Sequence, residues 1–434
     1  MVRKPFAMFV IGAFCLALAA VSSHAGEKGL KKELYDLNQM TGNDVTRGAL
    51  QKLIDEKDHA KALLKFALPA AEKKDLTYNG ALVLGLTAAE MKDMKSAELF
   101  FRVCMDKAAK LQSLEKLKQS YGLLIELNYD YKNYADSARL CQELMKLNTD
   151  DNKDRIVIQT MSDRFGRVEF REPQEGFKTA QRMKPYVFEI QVKSITKMGK
   201  YDQALAMVEK ELKVRNEWLD QHLKAWVLRE ANKLEDSAAL YENIIKEVER
   251  DRRLDDDEKD TYALQYRYEV SNVYVDLKKI DEATEHLEAI IKKKPSNPVF
   301  YNDLGFIWAD NGVRLDDAEK YIRKALQLDR DQRKKSKKFD PDKDHDSGAY
   351  LDSLGWVLFK QKKTKEAKKW LQLAIEDKNA QHIEIFDHLG DVNMALGDRA
   401  AAIAAWEQGL KFVNDTRRDK ERKASVEKKL EKAK

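Results

Sequence analysis

The chain has 434 residues, 43% hydrophobic and 35% charged, with 18 glycines and 7 prolines. Average usage would supply roughly twice that share of helix breakers, so the composition predicts a mostly helical protein with a long core. Lysine and arginine exceed aspartate and glutamate by 79 to 74, and the signs are mixed along the chain, which excludes the basic footprint of a nucleic-acid-binding protein.

At the N-terminus, Arg3 and Lys4 precede the uncharged run FAMFVIGAFCLALAAV, followed by SSHAG with small residues at Ser23 and Ala25. This is the pattern of a signal peptide over 1–25, cleaved before Gly26. The run is shorter than the roughly 20 residues a helix needs to cross a bilayer. Phe14, before Cys15, is too large for a lipoprotein motif. A periplasmic or secreted protein without a stable membrane anchor is expected. Cleavage leaves Cys104 and Cys141, each in an apolar helical stretch, where buried free thiols are expected in preference to a disulfide.

Residues 26–76 read as N-terminal helices with a possible capping repeat. Over 77–151, Leu84, Gly85, Ala97, Phe101 and Cys104 define one helix pair, and Tyr121, Leu124, Tyr134, Ser137 and Cys141 a second that lacks the glycine. Residues 152–184 read as a degenerate repeat or a linker. Over 185–413 the markers continue with Gly199, Tyr201, Ala204 and Val208, then Ala225, Ser237 and Tyr241, then Tyr274, Ala283, Leu287, Ile290 and Pro295. Three stretches, YNDLGFIWAD, YLDSLGWVLF and IFDHLGDVNM, carry the pairs Leu304/Gly305, Leu354/Gly355 and Leu389/Gly390. Beyond them stand Ala318, Ile322 and Ala325; Ala367, Leu371 and Ala374; and Ala402, Trp406 and Gly409. A small residue on a first helix lets an antiparallel second helix approach closely, and the large residue four beyond the Ala reaches the next pair. A unit that cannot bury its own face must stack on copies of itself.

This pattern resembles the tetratricopeptide repeat, most strongly over 298–410. The resemblance implies an all-α, right-handed superhelical solenoid of stacked antiparallel helix pairs, similar to exported bacterial members of the family that act as envelope scaffolds or adaptors. Two charged insertions, 252–263 and 333–347, interrupt the array. The second contains FDPDKDHDSG. Counted from Asp342, the sixth and twelfth places of a calcium loop fall on Ser347 and Ser353; counted from Asp340 they fall on His345 and Leu351, so neither frame works. A solvated loop whose basic and acidic halves neutralise each other is expected, and residues 414–434 read as a charged, solvating cap helix or tail.

No P-loop, GxGxxG, GxSxG, HExxH or paired CxxC occurs. His382, Asp387 and His388 lie close in sequence, yet 382 and 388 are six apart and fall on different helical faces, so the histidines read as exposed or groove-lining. No enzyme activity, cofactor or metal is expected. The expected function is a non-enzymatic interaction scaffold or adaptor outside the cytoplasm. The alternatives are a structural component of an envelope homo-assembly and a hydrolase with a distributed site. In a tetratricopeptide array, places two, five, nine and twelve of each first helix line the concave groove. The last three of these places hold Tyr268, Asn272 and Val275; Asn302, Phe306 and Ala309; Asp352, Trp356 and Phe359; and Asp387, Asp391 and Met394. The stripe is acidic and aromatic, whereas the carboxylate-clamp variety of the fold uses Lys, Asn and Arg there. The expected ligand is a basic peptide segment with apolar anchors, and Trp356 is expected to be an exposed anchor.

Overall fold

Long runs of Ala, Leu, Lys and Glu without breakers leave the backbone one inexpensive way to satisfy its hydrogen bonds, the α-helix. The structure is a computed structural model that describes residues 26–41, 43–146, 183–214, 218–336, 339–342, 344–378 and 380–433. The expected signal peptide and nearly all of 152–184 lie outside the described residues. No strand occurs among the described residues.

The chain divides into two units, Met1–Lys200 and Tyr201–Lys434. The first contains α1 (26–39), α2 (Asn43–Asp55), α3 (Lys57–Glu72), α4 (Tyr78–Glu90), α5 (Met94–Lys110), α6 (Leu114–Asp130), α7 (Tyr134–Lys146) and α8 (Met183–Lys197). The second contains α9 (Tyr201–Leu212), α10 (Trp218–Glu230), α11 (Leu234–Arg250), α12 (Asp256–Asp276), α13 (Ile280–Lys293), α14 (Pro298–Asp310), α15 (Leu315–Lys334), α16 (Gly348–Lys360), α17 (Thr364–Ala374), α18 (Ile383–Ala395), α19 (Arg399–Gly409) and α20 (Arg417–Ala433).

Within pairs the turn is three residues long, four between α14 and α15, and built alike. Lys92, Lys132, Asn232, Lys278, Gly312, Lys362 and Gly397 all take left-handed φ values in these turns. In the first, the Asp93 amide donates to the Ala88 carbonyl at 2.9 Å and the Lys92 amide to Ala89 at 3.0 Å, a Schellman stop that satisfies the last carbonyls of α4. Asp93 and Asp398 then cap the second helices by accepting from Ser96 and Ala401 amides. So short a turn leaves the next helix only an antiparallel course.

The seam inside each pair follows the sequence register. A Cβ added at Gly85 would lie 2.5 Å from the Phe101 ring, at Gly305 2.7 Å from Ile322, at Gly355 2.6 Å from Leu371 and at Gly390 2.2 Å from Trp406. Each glycine is therefore the hollow that receives the large residue of its partner helix. Where the second-helix marker is Ser instead of Ala, its hydroxyl ties the pair together. Ser137 donates to the Ile125 carbonyl at 3.1 Å, and Ser237 to Ala225 at 2.7 Å. These contacts give an all-α solenoid of stacked antiparallel helix pairs. Cys104 and Cys141 are free, buried members of the first unit's core. Burial pushes both thiols up, Cys141 to about 12.

Three sequence expectations need correction. The 252–263 segment is not a solvated insertion throughout, because Asp255 and Glu258 form a capping box and α12 begins at Asp256. The basic half of 333–347 is likewise partly helical: α15 runs to Lys334, and Arg333 pairs with Asp344 and Asp346. Those pairs are the neutralisation expected between the two halves. The third concerns α20: of the two readings, cap helix or tail, the structure has the helix, but it is docked and not merely solvating, with Val426, Leu430 and Ala433 buried against Ile383, Ala402 and Trp406. No helix of the described residues is long and apolar enough to cross a membrane.

Candidate binding groove

The first helices α12, α14, α16 and α18 carry the acidic and aromatic stripe. On α12 and α14 its residues are bound to one another. The Tyr268 hydroxyl donates to Asp303 at 2.8 Å, and the Tyr268 ring meets Phe300 edge-on at 5.7 Å. Asn272 donates to the Tyr268 carbonyl at 3.0 Å. Buried Asn302 lies beside Asp303, whose carboxyl burial pushes up to about 6. Val275 is half-buried and Ala309 fully buried.

On α16 and α18 the stripe closes over a histidine. His388 is wholly buried and stacks on Trp356 with ring centroids 3.9 Å apart and planes within 12°. Its Nδ1 lies 2.9 Å from Asp352 Oδ1, so that carboxylate accepts the Nδ1 proton. Burial opposes the imidazolium, but Asp352 and Glu384 outweigh it and hold the His388 pKa above its ordinary value. The Trp356 indole donates to Asp310 at 3.1 Å, and Phe359 packs 5.4 Å away. Phe306 of α14 approaches His388 of α18 to 6.1 Å although the two helices are two repeats apart. The first-helix face of this unit therefore bends inward.

This corrects one expectation and narrows another. Trp356, with 7% of its surface accessible, is not an exposed anchor, and of the two readings of His388, exposed or groove-lining, burial against the stripe residues Trp356 and Asp352 leaves the second.

Across the stripe lies α20. Arg422 donates to Asp387 Oδ2 at 3.1 Å and to Glu384, and its Nη1 sits 3.4 Å from His388 Nε2. Lys429 bridges Asp387 at 2.6 Å and Asp391 at 2.7 Å. At the other end, Arg417 and Arg418 reach Asp276 of α12 at 2.6 and 2.8 Å, and Arg418 also donates to the Asn272 carbonyl. Arg229 donates to the same Asp276 at 3.0 Å. Burial works to raise the Asp276 pKa, yet the three arginines outweigh it and hold the carboxyl below its ordinary range. For Asp391 the balance reverses, since burial and the neighbouring Asp387 raise it against the pull of Lys429. Met394 packs against the same apolar cluster as Val426 and Leu430.

Sequence reasoning missed Asp276 and Glu384, and that the C-terminal cap helix lies over them. The signal was present. Asp276 extends Tyr268 and Asn272 by a further four residues, and Arg418, Arg422, Val426, Lys429 and Ala433 recur at three and four. Among the described residues, no group of three or more His, Cys, Asp or Glu side chains is arranged to hold a metal ion.

No protein-family model matches the chain. A TPR repeat-containing protein of Pseudomonas aeruginosa is 32% identical over 105 residues, which are 24% of this chain. The match spans 15% of that relative's length. Among solved structures, a tetratricopeptide repeat protein from Parabacteroides merdae aligns with 71% of this chain and 99% of its own, at 12% identity and a TM-score of 0.43. A TPR protein from Thermus thermophilus aligns with 48% of this chain and 98% of its own, at 15% identity and a TM-score of 0.36. Over those 105 residues the chain is similar to a tetratricopeptide repeat protein, and the glycine seams inside its helix pairs agree with that likeness.

Proposed function

We propose that this chain is a non-enzymatic protein–protein interaction scaffold or adaptor that works outside the cytoplasm and holds a basic, amphipathic segment of a partner protein on the first-helix stripe of its last repeats. One observation carries the reading: Asp276, Glu384, Asp387 and Asp391 already engage arginine and lysine side chains presented by a helix with apolar anchors. The charged run followed by an apolar core and small residues over 1–25 supports the location. The His388–Asp352 pair is packed under Trp356 and Arg422, as a structural histidine is.

Fluorescence anisotropy of residues 26–434 against charge-sorted helical peptides tests the binding. Basic amphipathic peptides are expected to bind, and more weakly as salt rises, because rim charges are screened. Acidic peptides binding as tightly or more so would overturn the reading. For the location, the mass of the protein isolated from its own cells is expected to begin at Gly26. Retention of 1–25 would count against export.

A further inference from the structure

We propose that α20 is an exchangeable occupant of the groove, a strap that the chain lays over its own binding stripe and that a basic amphipathic helix of the same pattern displaces. The inference deepens the peptide-binding reading above and rests on it for the identity of the displacing partner.

Several features separate α20 from the repeat helices. Its residues RRDKERKASVEKKLEKA carry no small–large–small marker set, so it opens no further repeat on Ile383 of α18 and Ala402 and Trp406 of α19, against which its apolar residues are buried. Instead it runs across the first-helix face. Arg417 contacts Asn232 in the α10–α11 turn and Asp276 on α12, and Lys429 contacts Asp387 and Asp391 on α18. Twelve residues of helix separate those two cations, about 18 Å. One short helix therefore spans the inward-bent face from its α10–α12 end to its last pair.

The way it is held is also that of a ligand. Its grip is mainly ionic, through Arg417, Arg418, Arg422 and Lys429, with an apolar seal only at Val426, Leu430 and Ala433. Most of its remaining surface is charged, so a released α20 exposes little that water disfavours. The same charges and anchors are what the acidic stripe selects in a partner. Residues 410–416 join α19 to α20, and so short a tether keeps the helix at an effective concentration of the order of millimolar. A partner must outcompete that concentration, which makes the groove closed to weak basic segments and open to well-matched ones. His388 is the contact point of the switch, since its Nε2 faces Arg422 only while α20 is docked.

The test uses the whole mature chain and a synthetic peptide of residues 415–433 as probe, because α20's own sequence must fit whatever α20 fits. In hydrogen-exchange mass spectrometry, excess peptide is expected to speed exchange of the chain's amides 417–433 at least tenfold while those of α18 stay protected. A release variant, Arg422→Glu with Lys429→Glu, changes only the strap and is expected to bind the peptide at least tenfold more tightly than the unmodified chain. Protection of α18 amides in that variant shows that the repeats remain folded. Unchanged exchange at 417–433 together with equal affinities, or no binding to either protein, would overturn the strap and make α20 a permanent cap. Should the strap fail while the charge-sorted peptides still bind, the groove reading stands; if both fail, it falls with it. Exchange that accelerates with protein concentration and no added peptide would give the displacing helix as α20 of a second copy, a further supporting outcome.

Discussion

The seam inside a helix pair and the stripe across the first helices are faces of the same helices, but they are held on different terms. In the seam, a glycine hollow meets Leu371 or Trp406, both buried, and every contact joins residues of one repeat. The α18 part of the stripe joins Asp387 to Arg422 and Lys429, and its α12 part joins Asp276 to Arg418, 142 residues away. The seam is dry, local and repeated. The stripe is charged, distant in sequence and made once. Stability therefore belongs to the seam, and exchange to the stripe.

The largest effect should come from breaking the seam. Leu371→Ala removes a fully buried side chain seated over Gly355 and should cost about 2–5 kcal/mol in urea unfolding. Gly390→Ala tests the same seam from the opposite side, since the added carbon meets the Trp406 indole. Overpacking of this kind costs about 1–3 kcal/mol. By contrast, Ser237→Ala puts in place the residue that other repeats already use and should cost about 1 kcal/mol, the value of one hydrogen bond. If Ser237→Ala proved as damaging as Leu371→Ala, the seam would not be the interchangeable contact described.

The stripe should respond to pH, and its two ends should respond with opposite signs. Asp276 has a depressed pKa when folded, so its contribution is present above its ordinary value of 3.8 and lost as pH falls through the lower folded value. Asp276→Asn should cost about 1–3 kcal/mol near neutral pH, with the gap to the unmodified chain closing in acid. The His388 pKa is raised when folded. Its contribution is present below its ordinary value of 6.5 and lost as pH rises through the higher folded value. His388→Gln should therefore cost about 1.5–3 kcal/mol in mild acid and less above neutrality. Unfolding midpoints of both variants measured across pH check the signs. A His388→Gln gap that widened with rising pH would contradict the Asp352 pairing.

How much of this was legible follows from the same contrast. Ala97, Ser137, Ala204, Ser237, Ala283, Ala318, Ala367 and Ala402 were readable because each repeats the same physical need within the same local pattern, although the intervals between them vary, and all eight are buried. The acidic stripe was readable as a face with period 3.6, including Asp387 and Asp391. Burial of Trp356 was not, because it depends on a histidine one repeat away filling the space above it. Nor was the docking of α20, because no periodicity links Arg418 to Asp276. The chemistry expected of a ligand, basic with apolar anchors, nevertheless describes Arg422, Val426, Lys429 and Leu430. Complementarity between distant segments was the signal, and it lies outside any single repeat.

The smallest effect is expected at FDPDKDHDSG, where an ionic contact outside the stripe can be set against the dry seam. Arg330 donates to Asp346 at 2.7 Å, and Arg333 to Asp344 at 2.6 Å and Asp346 at 3.1 Å. These side chains keep about a fifth to two fifths of their surface in solvent. The pairs hold the loop end against α15 but cover no apolar core, and exposed ion pairs contribute about 0.2–1 kcal/mol each. Arg333→Ala should therefore lower stability by about 1 kcal/mol at low salt. At 1 M salt the screening length falls to about 3 Å, and the gap should nearly vanish, while that of Leu371→Ala should persist. Unfolding of both variants at two salt concentrations separates the cases. A salt-independent loss at Arg333 would mean that its side chain stem, and not its charge, fastens the insertion to the repeats.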